Sequence, residues 1–284
     1  MDNKKLKSEN TKLVIAISSR ALFNLDQSHK IFKEKGIEAY AKHQQENEHV
    51  ILEPGVGFTL VKKLLKLNSK KTPIDVILLS RNSADTGLRI FNSIEHYDLN
   101  ISRAAFTRGE STHPFVGAFE ADLFLSSNYN DVQKALQSGY AAASIVESKS
   151  NNSHPSQLRI AFDGDAVIFS DESERIFQEK GLEAFHENEI LSEKIELKAG
   201  PFKSFLVSLQ KIQSTFPEED NPIRTALVTA RSAPSHRRVI HTMRKWGIRI
   251  DESFFLGGLE KGIFLRQFAA DIFFDDQQQH CESA

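Results

Sequence analysis

Ile31–Tyr40 reads IFKEKGIEAY, and Ile176–Phe185 reads IFQEKGLEAF. Seven of these ten positions are identical, at an offset of 145. Carried backward, the same offset lays Ser18-Ser19-Arg20-Ala21 on Asp163-Gly164-Asp165-Ala166. Carried forward, it lays Gly55 on Gly200. Further along, the offset becomes 149. Ser80 then falls on Thr229, Phe119 on Phe268, Asp122 on Asp271, and Ser126-Ser127 on Asp275-Asp276. A four-residue length change in a surface loop accounts for the shift. A period this long implies two whole domains rather than a stack of short units. The expected boundaries are 1–150 and 151–284, joined through the polar stretch 147–155, ESKSNNSHP, which ends in a breaker.

Both copies carry the same pattern of short apolar runs. Leu13–Ile17 and Leu158–Phe162 read as strands, as do Ile74–Leu79 and Thr225–Val228, and Asp122–Leu125 and Asp271–Phe274. Uninterrupted apolar runs of this length suit strands covered on both faces, as in a parallel sheet. Helical patterns separate them. Ala233–Trp246 places Val239, Ile240, Met243 and Trp246 at helical spacing, with Pro234 near its start and Gly247 after its end. Alternating strands and helices give an α/β fold with mainly parallel, Rossmann-type sheets. The helical stretch 170–222 is long enough to add a small cap.

Bulk properties narrow the function. The 284 residues are 40% hydrophobic, including 21 Phe, enough for one large core or two ordinary ones. A net charge of −2 gives no field that selects nucleic acid or a membrane surface. Cys281 is the sole cysteine, so no intrachain disulfide forms and a reducing, cytoplasmic setting is expected. No run of about 18 apolar residues is present to span a membrane, and the polar N-terminus has no secretory pattern. The ten His residues show no zinc-ligand spacing. Oligomeric state stays open, a homo-oligomer included.

In open parallel sheets, ligands bind beyond the carboxyl ends of the strands. In the second copy, those ends carry Asp163-Gly164-Asp165, Thr229, Lys261 after Gly257-Gly258, and Asp275-Asp276. Each group alone has an ordinary reading as a turn, a strand end, a helix start or a cap. Together they suit phosphoryl transfer. A carboxylate nucleophile, Asp163, splits a very slow hydrolysis into two displacements. Asp165 can protonate the leaving oxygen and then activate water. Mg²⁺ on Asp163, the Asp165 carbonyl, and Asp275 or Asp276 offsets the repulsion between carboxylate and phosphate. Thr229 and Lys261 would hold the remaining phosphate oxygens.

The order Asp-x-Asp, Thr, Lys, Asp-Asp resembles the haloacid dehalogenase superfamily of phosphatases. FDGDAVIFSDE (162–172), TARS (229–232) and IFFDDQ (272–277) resemble the cytosolic type I 5′-nucleotidases more closely. So do SSRALF (18–23) and NSIEHYDL (92–99) in the first copy. The resemblance runs from about residue 12 to 280. It implies Mg²⁺-dependent hydrolysis of nucleoside 5′-monophosphates, notably AMP. Val167 stands where many members of the broader superfamily have Thr, and it fits the narrower family. A phosphatase of other small monoesters and a non-catalytic nucleotide sensor are the competing readings.

The first copy has Ser18, Arg20, Ser80 and Ser126-Ser127 where the second has Asp163, Asp165, Thr229 and Asp275-Asp276. Without these carboxylates no catalysis is expected there. Arg20, Arg81, Asn82 and Arg108 on its strand-end loops are candidate contacts for substrate or an effector nucleotide, as are Arg231 and Ser232 in the second copy. Phe177 and Phe185 in the cap stretch are candidates to stack on a base.

Overall fold

A computed structural model describes residues 12–70, 73–145, 154 and 156–283. Apart from His154, the expected linker lies outside these residues.

Two parallel sheets organise the chain. The first joins β1 (Leu13–Ser18), β2 (Ile74–Ser80), β3 (Arg103–Phe106), β4 (Leu123–Ser126) and β5 (Ala142–Ser144) in the order β3-β2-β1-β4-β5. The second joins β6 (Leu158–Phe162), β7 (Ile223–Thr229), β8 (Glu252–Phe255) and β9 (Ile272–Phe274) in the order β8-β7-β6-β9. All the pairings are parallel, which matches the apolar runs read from the sequence. The central strands β1 and β6 are buried almost throughout. Three of the four edge strands, β3, β5 and β8, carry no uninterrupted apolar run that marks them in the sequence; the fourth, β9, keeps the apolar run Ile272–Phe274.

The helices are α1 (Ser19–Leu22), α2 (Asp26–Glu46), α3 (Phe58–Leu67), α4 (Leu88–His96), α5 (Pro114–Ala118), α6 (Tyr129–Gln137), α7 (Glu172–Leu191), α8 (Lys203–Gln213), α9 (His236–Trp246), α10 (Lys261–Phe268) and α11 (Gln278–Ser283). Helix α9 begins three residues later than its sequence pattern predicts, with Ser235 at its N-cap and Pro234 outside the helix. Its C-terminus ends as expected, on left-handed Gly247.

The two decapeptides that reveal the internal likeness lie in α2 and α7. Both helices break at the shared glycine. Gly36 has φ 81° and ψ −176°, and Gly181 has φ 83° and ψ 179°, a region open essentially to glycine alone. Each element is therefore a helical hairpin rather than one long rod.

The stretch expected to form a cap divides in two. Helix α8 buries Phe205, Leu206, Leu209 and Ile212 and packs into the body of the protein, so it is a core helix. Phe162, Phe202, Phe205 and Phe274 form a ring cluster beneath the second sheet, with centroids 4.7–6.4 Å apart. One apolar core runs from Leu13 to Phe274 and includes both sheets.

Candidate active site

The direction of strand crossing reverses between β6 and β9, and ligands in open α/β sheets sit beyond such a point. Asp163 directly follows β6, and its N–H donates to Phe274 O at 2.8 Å, so the β6–β9 pairing fixes its backbone. Lys261 opens α10 and is 3% exposed. Its Nζ lies 2.9 Å from Asp163 Oδ1 and 2.6 Å from Asp275 Oδ2. The Asp275 side chain is fully buried, and its two oxygens also face His280 Nδ1 at 3.1 and 3.0 Å. Asp276 is exposed at the rim. One carboxylate oxygen each from Asp163, Asp275 and Asp276 falls within 4.8 Å of the others.

Three close carboxylates face one ammonium, and burial first, with neighbouring charges second, moves the titration of Asp163 and Asp276. Burial pushes Asp163 up to about 7; Asp275 adds to the rise and Lys261 opposes it. Asp276 is raised by burial and then by Asp275. Burial alone would lower the Lys261 ammonium, but Asp163 and Asp275 outweigh it and raise its pKa. An all-oxygen cluster with surplus negative charge has the donor chemistry of a hard divalent cation.

Thr229 ends β7 and is buried. Its Oγ1 accepts from the Arg231 N–H at 3.2 Å and lies beside Gly164, where an added Cβ would come within 3.2 Å of it. Asp163, Lys261, Asp275 and Asp276 therefore form one cluster at the carboxyl end of the second sheet, with Thr229 beside Gly164, the residue after Asp163. The Asp165 carboxylate pairs with Arg231 rather than with Lys261. Arg231 Nε donates to Asp165 Oδ2 at 2.8 Å, and Nη2 donates to Oδ1 at 2.7 Å.

Arg231 was expected from sequence to contact substrate or effector. It is instead 2% exposed and committed to acids: Nη1 donates to Glu189 Oε2 at 2.6 Å, and the guanidinium lies 5.3 Å from the Phe185 ring centroid. These partners raise its already high pKa further against the opposing effect of burial. Ser232 sits on the neighbouring loop and packs near Gly257.

Among the candidates of the first sheet, Arg81 is likewise occupied, in a two-pronged pair with Asp131 at 2.9 and 2.7 Å and a bond to Gly109 O. Asn82 Oδ1 accepts from Tyr40 at 2.7 Å. Arg108 is exposed on an adjoining loop with φ 49°. Arg20 is 39% exposed, with a long 3.5 Å contact to Asp26.

Hairpin α7 adjoins the cleft. Gln277, whose N–H binds Asp275 Oδ1 at 2.8 Å, reaches Glu174 Oε1 at 3.3 Å. Phe185 is buried, and half-exposed Phe177 meets it edge-on at 6.4 Å. Glu189 and His280 escaped the sequence reading. His280 carries no local signal beyond lying five residues after Asp275. Glu189 lies at the 145 offset from Gln44, and this charge difference is visible in the sequence.

A model of the 5′-nucleotidase family matches residues 5–284. The chain is 40% identical over 286 residues to cytosolic 5′-nucleotidase 1B of Homo sapiens, an alignment covering 96% of this chain and 47% of that protein. The chain thus spans about half the length of this curated relative. No solved structure matches it significantly. Among the described residues, no helix is long and apolar enough to cross a membrane.

Proposed function

The chain belongs to the 5′-nucleotidase family, and on that premise we propose that it hydrolyses nucleoside 5′-monophosphates, AMP foremost, to nucleoside and phosphate. The observation that carries this reading is Lys261 bridging Asp163 and Asp275 at the sheet's switch point, with Asp276 beside them.

In the proposed reaction, an Asp163 Oδ atom attacks phosphorus as the P–O5′ bond breaks. The leaving oxygen takes its proton from Asp165, and the nucleoside departs. Water then gives a proton to the Asp165 carboxylate and attacks the aspartyl-phosphate, releasing phosphate and restoring Asp163. Lys261 holds phosphate oxygens and balances charge, while Thr229 hydrogen-bonds another oxygen. Asp163, the Asp165 carbonyl and Asp275 or Asp276 would hold Mg²⁺, which would supply charge neutralisation at phosphorus. Hairpin α7 serves as the cap that shields the site, with Phe177 and Phe185 beside the base. The name of the human relative supports a cytosolic location.

The internal likeness supports a tandem duplication, with residues 1–150 a degenerate, non-catalytic copy and 151–284 the catalytic one. The strand orders β3-β2-β1-β4 and β8-β7-β6-β9 correspond one to one.

A panel of nucleoside and sugar monophosphates, assayed with Mg²⁺ for released phosphate, tests the reading. Rates on AMP well above those on sugar phosphates are expected, together with a loss of at least ~10³-fold in Asp163→Asn. Equal rates on both substrate classes would favour a general phosphatase, and no turnover of any monophosphate would favour a sensor.

A further inference from the structure

The buried ion pairs beside the cleft have a counterpart in the first copy, and the comparison separates general scaffolding from acid-specific parts. In the catalytic copy, Arg231 grips both oxygens of Asp165 and is itself held by Glu189. Glu189 is fully buried and also accepts from Arg238 Nη1 at 2.8 Å and Ser173 Oγ at 3.0 Å. The same offsets lay Glu189 on Gln44, Arg231 on Asn82, and Phe185 on Tyr40.

The neutral version keeps the same shape. Gln44 Oε1 accepts from Ser28 at 3.0 Å and from Arg89 at 3.3 Å, and Tyr40 donates to Asn82 at 2.7 Å. Arg89 and Arg238 occupy equivalent positions and do the same work. Arg89 donates to Val50 O at 2.8 Å, and Arg238 to Ile195 O at 2.9 Å. That arginine is therefore part of the hairpin's scaffold and needs no active site beside it. Arg231 and Glu189 are different. They are charged only in the copy whose first loop carries Asp165, and both are neutral where that position is Arg20.

We infer that Arg231, anchored by Glu189, is the positioning residue that holds Asp165 within reach of the leaving-group oxygen. This inference rests on the nucleotidase reading above. The local backbone shows why a holder is needed. Asp165 lies in an irregular turn, Gly164–Ile168, in which Asp165 is extended and Ala166 has φ 60°. No regular helix or strand fixes the direction of its side chain. A planar guanidinium binding both oxygens sets distance and orientation together. Because Glu189 lies in the second arm of the hairpin, the same arginine also ties the acid to the proposed cap.

The test compares kcat/KM for AMP, whose alkoxide leaving group needs a proton, with kcat/KM for p-nitrophenyl phosphate, whose leaving group departs as a stable anion. This constant reports events only through phosphoryl transfer to Asp163, so the later hydrolysis step does not enter. The variants are Arg231→Gln and the neutral set borrowed from the first copy, Arg231→Asn with Glu189→Gln. The borrowed set neutralises the buried pair together, which keeps a folded sample available if the single variant unfolds. Thermal melts check the fold of each.

The expected result is a 10²–10³-fold fall in the ratio of AMP to p-nitrophenyl phosphate, matching Asp165→Asn. Adding Asp165→Asn to the borrowed set should then lower the ratio little further. An unchanged ratio in the folded borrowed set, with Asp165→Asn still lowering it, overturns the role of Arg231 and leaves the nucleotidase reading standing. A wild-type protein inactive on AMP overturns that reading and this inference with it.

Discussion

Arg81 shows how a residue type that suggests ligand binding can be spent on structure. Asp131 is buried, and Arg81 meets it through two nitrogens while Ser111 donates to it at 2.5 Å. Burial alone would raise the Asp131 carboxyl, but the bonds from Arg81 and Ser111 outweigh it and hold the carboxyl below its ordinary value of 3.8. A depressed folded-state pKa adds stability above the unfolded value, and that stability is lost as pH falls through the folded one. Arg81→Ala is therefore expected to cost on the order of 1 kcal/mol at neutral pH, allowing for solvent screening of the half-exposed guanidinium. The gap to wild type should narrow as pH drops below about 4. Urea melts at pH 7 and pH 3.5 measure it; a gap that widens in acid would contradict the assignment.

Asp163, Thr229 and Asp275 stand out in the sequence because each directly follows an apolar run; Asp276 comes next to Asp275, and Lys261 comes three residues after the pair Gly257-Gly258. Across the sheet they run Lys261, Thr229, Asp163, Asp275, because the chain steps outward from β6 to β8 and then returns to β9 on the other side. Glu189, His280 and the commitment of Arg231 were not legible. Arg231 and Glu189 meet their partners across tens of residues, and no local period encodes that; His280 lies only five residues after Asp275, but nothing in that spacing marks the contact. Arg20 and Asp165 mark the limit from the other side. Their exchange between the copies was plain in the sequence, but its consequence for Gln44 and Glu189 appears only when the two hairpins are seen to fold alike.

At the scale of elements, burial decided what could be read. The central strands β1, β2, β6 and β7 carry continuous apolar runs because neighbours cover both faces. Edge strands β3, β5 and β8 are partly exposed and lack that signature. Helix α8 was grouped with the cap because its helical period says nothing about which surface it covers. The hairpins are decided by one residue each. Adding a Cβ at Gly181 meets no atom within 4 Å, so the cost of substitution there is backbone strain alone. Gly181→Ala is expected to lower the unfolding free energy by about 1–3 kcal/mol. If α7 is the cap, the variant should also raise KM for AMP more than KM for p-nitrophenyl phosphate. Urea melts and paired kinetics measure both, and a loss of stability with equal KM changes would remove the cap role while leaving the strain argument intact.

Across the whole molecule, the two sheets are joined by reciprocal polar contacts as well as by apolar burial. From α3, Lys63 Nζ reaches Asp271 Oδ1 at 2.6 Å, and from α8, Ser208 Oγ reaches Asp122 Oδ1 at 2.7 Å. The offsets pair Lys63 with Ser208 and Asp122 with Asp271, so each copy's helix binds the equivalent aspartate of the other. Each aspartate also caps its own sheet: Asp271 Oδ2 accepts from the Arg159 N–H at 2.7 Å, and Asp122 Oδ2 from the Val14 N–H at 2.9 Å. A two-fold contact between like units, as the proposed duplication implies, would give this reciprocity within one chain. The two contacts should differ in strength. Lys63 is 5% exposed, and Asp271→Asn removes a charge-assisted hydrogen bond from it, at an expected cost of about 1.5–3 kcal/mol. Ser208→Ala removes one hydrogen bond and should cost about 1 kcal/mol. Because the apolar core is continuous between the sheets, wild type should unfold in one transition monitored by circular dichroism and by Trp246 fluorescence. Asp271→Asn should move that single transition to lower urea without splitting it. Two separated transitions in wild type would mean that the sheets are independent units and that the reciprocal contacts contribute little to joining them.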